Sequence, residues 1–159
     1  MQKYVFVYLL QPIEQGAQFH MKDWPLHITL SPRFAINLEP TAIVDKARRK
    51  LNKQTPVTAT AANDEYFGSK RNMLVTIMDM SPGLVTLHKK LVATLEGLGA
   101  VYDEPQYAGN NYRAHATAQQ QGRLNAGDKI IVNGITLIDM FADNDIKLRK
   151  VLDTVRFAP

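Results

Sequence analysis

The chain has 159 residues, with 19 basic and 15 acidic side chains, a formal charge of +4 and no cysteine. At this length one core can bury roughly 70% of the unfolded surface, so a single domain over residues 1–159 needs no disulfide or structural metal. The missing thiols exclude disulfide scaffolds, thiolate zinc sites and cysteine nucleophiles and point to a cytoplasmic protein; the mild positive charge suits a phosphate-bearing substrate but not a protein built to run along nucleic acid.

Lys3 ahead of the apolar run Tyr4–Leu10 superficially resembles a secretion signal. The run is short for that, and Gln11-Pro12-Ile13-Glu14 offers no small-residue cleavage site, so a buried first strand is expected. His20 falls in a polar loop, and Leu26–Leu30 alternates as a strand. A helix is expected from about Pro40 to Asn52, with Pro40 in the first turn and Ile43, Val44, Ala47 and Leu51 on one apolar stripe. Lys46, Arg48, Arg49, Lys50 and Lys53 cluster in its last turns, where cations favour the helix dipole, and read as a solvated helix end in preference to an RNA-binding patch. Strands follow at Val57–Ala61 and Met73–Met78. Ser81 as N-cap and Pro82 at N1 open a second helix, whose Leu84, Leu87, Leu91, Leu95 and Leu98 recur at helical spacing before Gly97 and Gly99 end it. Ala114–Ala118 and Ile130–Met140 are further strands. Ile146–Phe157 is ambiguous, since Leu148, Val151, Leu152 and Val155 also fit a helical stripe. This mixed order predicts an α+β fold with antiparallel sheets. No segment approaches the roughly 18 apolar residues of a membrane span, and no membrane partner is expected.

Two strands carry a repeated signal. In Leu26-His27-Ile28-Thr29-Leu30, alternation sends the three apolar residues to one face and His27 and Thr29 to the other. In Ala114-His115-Ala116-Thr117-Ala118 it buries three alanines and presents His115 and Thr117, with Arg113 and Gln119 on the same face. The spacing alone is weak; the matched context, 88 positions apart, is more specific. His20 and His88 lack it, His88 lying inside the second helix. Separately, each histidine or threonine is an ordinary strand residue.

The paired His-x-Thr segments resemble the signature of the two-histidine (2H) phosphoesterase superfamily, which includes 2′-5′ RNA ligase-like proteins and 2′,3′-cyclic phosphodiesterases. The order Tyr66-Phe67-Gly68, strand Met73–Ile77, then the Leu87-His88-Lys89-Lys90-Leu91 helix ending near Gly99 is similar to that family's over nearly the whole chain. The chain departs from it in three places: Asn111-Tyr112-Arg113-Ala114 lacks a proline directly before His115, Ala118 and three glutamines follow Thr117 in place of an apolar and basic pair, and Pro25 stands one place early before His27. The resemblance implies two pseudo-symmetric lobes of antiparallel sheet with helices, one motif from each across an active cleft, and a closing strand at the tail.

It also implies a metal-independent enzyme without cofactor, acting as a monomer on RNA ends or small nucleotides with a 2′,3′-cyclic phosphate or 2′,5′ linkage. His27 and His115 would be the catalytic acid and base, since imidazoles with pKa near 6.5 can coexist in both protonation states. Thr29 and Thr117 would donate to nonbridging oxygens, Arg113 and Arg33 would add charge, and Tyr66, with Phe67, could stack a base if not used in lobe packing. Arg113 could instead form a surface ion pair. A metal centre is the competing use of two histidines. It is disfavoured because neither polar face carries a carboxylate, Asp23 being the one candidate of matching parity. A non-catalytic RNA- or nucleotide-binding protein on the same scaffold is the alternative function.

Overall fold

The computed structural model describes residues 2–159. Its strands are β1 (Lys3–Leu9), β2 (Gln18–His20), β3 (His27–Thr29), β4 (Phe34–Ala35), β5 (Val57–Phe67), β6 (Met73–Met78), β7 (Val101–Tyr102), β8 (His115–Thr117), β9 (Lys129–Val132), β10 (Gly134–Asp139) and β11 (Leu148–Arg156); the helices are α1 (Pro40–Lys50) and α2 (Pro82–Gly97). One sheet has seven strands, in the order β2-β11-β10-β1-β4-β7 with β3 also on β1; the other has four, β8-β6-β5-β9. Every pairing between these strands is antiparallel, as the α+β reading expects. The helices pack on each other, α1 also on β11 and α2 on β5, and a core containing Phe6, Ile28, Phe34, Leu84, Leu91, Ala116 and Ile135 joins both sheets.

Both helices start for legible reasons. Pro40 and Pro82 hold first-turn positions, and the Ser81 hydroxyl accepts from the Leu84 amide at 3.3 Å. Arg48, Arg49, Lys50 and Lys53 are exposed, which is the solvated helix end expected of that cluster.

Three local expectations are corrected, and the ambiguous tail is the closing strand that the resemblance implies. His20 lies in strand β2, paired with Leu148 of β11; three residues are too few for a periodic signal. The strand expected to stop at Ala61 runs to Phe67 through Asn63, Asp64 and Glu65, residues poor in strand propensity. A bulge near Ala61 and ion pairs from Arg123 to Asp64 and Arg113 to Glu65 hold them in the sheet. The run Ile130–Met140 is two strands in two sheets, broken at Asn133. At Gly134 a Cβ would come within 2.7 Å of the Val155 carbonyl oxygen, so the crossing from one sheet to the other needs glycine. The tail is strand β11, in which an irregularity at Leu152 puts the buried Val151 and Val155 on opposite faces of the sheet.

Candidate active site

Ser31 determines how the first motif is presented. β1 pairs with β4 at its start (Lys3, Tyr4) and with β3 at its end (Val7 to Leu9). In the gap, the fully buried Ser31 hydroxyl accepts from the Phe6 amide at 3.1 Å, while the Leu30 and Ser31 amides donate to the Phe6 carbonyl. The switch of partner leaves β3 short, with Ile28 buried in the core and His27 and Thr29 half-buried on the other face. The second motif is built the same way on β6: Thr117 faces Val75 and His115 faces Ile77, as Thr29 faces Val7 and His27 faces Leu9. Ala116 takes the buried middle position. β3 and β8 pack side by side, so the two polar faces meet.

The cleft between them holds about 790 Å³, and its wall includes His27, Thr29, Arg33, Tyr66, Arg113 and His115. Of the seven site residues expected from the sequence, Thr117 is off this wall: it shares the face of His115 but stands two residues, about 6.6 Å, further along the strand. Gln119, also expected on that face, is off the wall too, held in a turn with Gly122. Asp23 does not reach the cleft, and no group of three or more potential metal ligands occurs among the described residues.

The two imidazoles are held alike by the backbone. Nδ1 of His27 bonds the Pro25 carbonyl at 2.8 Å, and Nδ1 of His115 bonds the Arg113 carbonyl at 2.8 Å. A carbonyl oxygen can only accept, so each Nδ1 carries the proton and each Nε2 is left without that bond. A neutral ring then offers a lone pair at Nε2, and a protonated one offers an N–H. Burial pushes His27 down to about 4, against the favourable Pro25 bond and with a further push from the charge of His115. Burial also lowers His115, opposed by the Arg113 carbonyl and reinforced by the Arg113 charge.

Side-chain support differs. Behind His27 lies Trp24 at a ring separation of 4.3 Å, itself packed on Phe19 and covered by the Arg149 guanidinium at 6.0 Å. Arg149 is buried, and its Nη1 donates to the carbonyls of Met140, Ile146 and Leu148. Beside His115, Phe67 meets the ring edge-on at 4.8 Å with Arg113 over it at 5.6 Å. Phe67 is therefore a support of the histidine, while Tyr66 is 60% exposed at the cleft.

The two arginines are also unlike. Both terminal nitrogens of Arg113 donate to Glu65, an ion pair that holds the Glu65 carboxyl below its usual range. Arg33 donates from Nε to Asp103 at 2.7 Å, which orients the guanidinium and leaves its two terminal nitrogens with no hydrogen bond among the described residues. Burial alone would raise Asp103, but hydrogen bonds from Lys3 and Arg33 hold it below the ordinary carboxylate value. Sequence reading missed the supporting parts: Trp24, Arg149, Asp103, and the wall residues Ser31 and Tyr107. Trp24, three places before His27 and the chain's one tryptophan, was the available signal; the others depend on tertiary contacts.

The chain is similar in fold to a crystal structure described as a phosphoesterase, 17% identical over 100% of both chains with a TM-score of 0.63. It is similarly close to E. coli LigT complexed with 3′-AMP, 17% identical over 99% of both chains, TM-score 0.63, and to the same protein complexed with NADP+, 17% identical over 99% of this chain and 98% of that one, TM-score 0.59. No curated protein sequence matches significantly. The model of the 2′-5′ RNA ligase superfamily matches residues 8–133, a span that contains both His-x-Thr strands. The chain therefore belongs to the 2′-5′ RNA ligase superfamily, the two-histidine phosphoesterases.

Proposed function

We propose that the protein is a metal-independent phosphoesterase that hydrolyses 2′,3′-cyclic phosphates or 2′,5′-phosphodiesters of RNA ends or small nucleotides, with His27 and His115 as general acid and base. The observation that carries the reading is the matched Nδ1–carbonyl bond, which leaves both Nε2 atoms for one cleft. Water attacks phosphorus as one neutral imidazole takes its proton at Nε2; the P–O bond to a ribose oxygen breaks as the other, protonated, imidazole gives that oxygen a proton. Thr29 and Arg33 stand where they can hold the nonbridging oxygens, whose charge grows in the transition state. Thr117 shares the face of His115, and Arg113 lies on the cleft wall with N–H groups left over beside its Glu65 pair, so both can add contacts to the phosphate. Tyr66 offers an exposed ring to a base. That E. coli LigT takes 3′-AMP and NADP+ supports a nucleotide as ligand.

The reading is of a single bilobal domain acting as a monomer, and the cysteine-free composition suits the cytoplasm. No described helix is long and apolar enough to cross a membrane. The test is turnover of a panel of 2′,3′-cyclic nucleotides, cyclic-phosphate RNA ends and 2′,5′-dinucleotides in the presence of EDTA, with products read by mass. Hydrolysis undiminished by chelation is expected. Activity lost in EDTA and restored by zinc or manganese would put the histidines in a metal centre; binding without turnover would leave a nucleotide-binding protein.

A further inference from the structure

His88 takes no part in the chemistry above, yet it is the fully buried histidine of α2, on a buried face made mostly of leucines. A buried imidazole is costly unless both nitrogens are bonded, and here both are. Nδ1 bonds the Leu30 carbonyl at 2.8 Å, and the Gly109 amide donates to Nε2 at 2.9 Å. A carbonyl can only accept and an amide N–H can only donate, so the neutral Nδ1–H tautomer alone satisfies both.

The ring lies flat on Tyr112, 3.7 Å between centroids with planes 5° apart, and the Tyr112 hydroxyl donates to the Thr29 carbonyl at 2.7 Å. Two side chains thus hold the successive carbonyls of Thr29 and Leu30, two and three residues after His27. One comes from α2; the other lies three residues before His115. Neither of the two ring-nitrogen bonds of His88 serves its own helix. They tie β3 to the segment that leads into β8.

We propose that His88 and Tyr112 form a buried clamp that positions the two catalytic strands, setting the separation of His27 and His115 across the cleft. Both are positioning residues, acting through the backbone of β3 and the lead-in to β8. The proposal rests on the phosphoesterase reading for its kinetic readout and on phosphate binding for an independent one.

The test uses Tyr112→Phe, which keeps the stacked ring and deletes one hydrogen bond, and His88→Asn, whose amide can replace the donor to Leu30 but cannot also reach Gly109. Both are assayed at a temperature where circular dichroism shows them folded. Misplacing catalytic groups by about 1 Å can cost ~10²-fold, so kcat is expected to fall ~10- to 10²-fold with KM changed by less than about threefold. In the same proteins, imidazole ¹⁵N shifts are followed during titration with inorganic phosphate. In the wild type, His27 and His115 respond together at one phosphate concentration; in the variants their responses separate or weaken. A lower melting temperature with unchanged kcat and an intact joint response would make the pair ordinary packing and overturn the proposal. If the wild type itself turns over none of the phosphodiesters, the functional reading fails, and the phosphate titration still decides the clamp.

Discussion

His27 and His115 occupy matching places in two unequal sheets, and the comparison separates what the strand does from what the packing does. Register, face and the carbonyl two residues upstream are the same for both rings. The surroundings are not: His27 is backed by Trp24 and the buried Arg149, whereas His115 leans on Phe67 beside the exposed Arg113–Glu65 pair. The backbone thus aims each Nε2, and the side chains behind it govern how easily the ring holds a proton. Burial lowers both, His27 to about 4.

The largest expected effect tests what the two sites share. His27→Ala and His115→Ala each lower turnover by ~10²- to 10⁴-fold, the usual loss of a general acid or base, in proteins that remain folded. The double variant loses less than the product of the single losses, because the two act in one transition state. Steady-state kinetics with a thermal melt on each variant checks this; loss of the fold in either single variant would make that histidine structural.

The next effect tests the difference in proton affinity. Between the ordinary 6.5 and about 4, the unfolded chain takes up a proton at His27 that the folded chain does not, so stability falls as pH drops through that window, by up to about 3 kcal/mol from this residue. Burial of His88 and His115 works in the same direction. Urea melts from pH 7 to 4 should show the loss, and His27→Asn should flatten it more than His115→Asn does. Equal flattening by both would deny the asymmetry.

A smaller effect sharpens the contrast in support. Trp24→Ala should cost about 2–3 kcal/mol, below the ~3–5 of a fully buried ring because Trp24 is half-buried, and Phe67→Ala about 1 kcal/mol. Denaturant midpoints measure both. A larger loss from Phe67 would reverse the ranking of the two supports.

Much of this comparison was legible in the sequence. Alternation placed His27, Thr29, His115 and Thr117 on polar faces because strand periodicity is local. Helix starts at Pro40 and Ser81-Pro82 were legible for the same reason. Asn63–Glu65 lie beyond the expected strand end at Ala61 because long-range ion pairs override their low propensity, and the break at Asn133 was invisible because both flanking strands are apolar. Arg113 and Arg33 looked alike until their partners, Glu65 and Asp103, came from 48 and 70 residues away. The clamp of His88 on Tyr112 escaped for the same reason: a histidine within a leucine stripe shows nothing of the carbonyl and amide that meet it.

The central claim, that one imidazole gives a proton while the other takes one, is tested most directly by the pH dependence of kcat/KM on a 2′,3′-cyclic nucleotide. A phosphodiester does not titrate in the working range, so the limbs belong to the coupled histidine pair of the free enzyme. A bell is predicted. Because burial lowers both imidazoles, its alkaline limb should lie below the ordinary 6.5, and the corresponding limb of kcat should lie higher, since bound phosphate favours the imidazolium. A rate that rises with pH to a plateau, with product release shown not to limit it, would mean that no general acid is needed and would contradict the two-histidine mechanism.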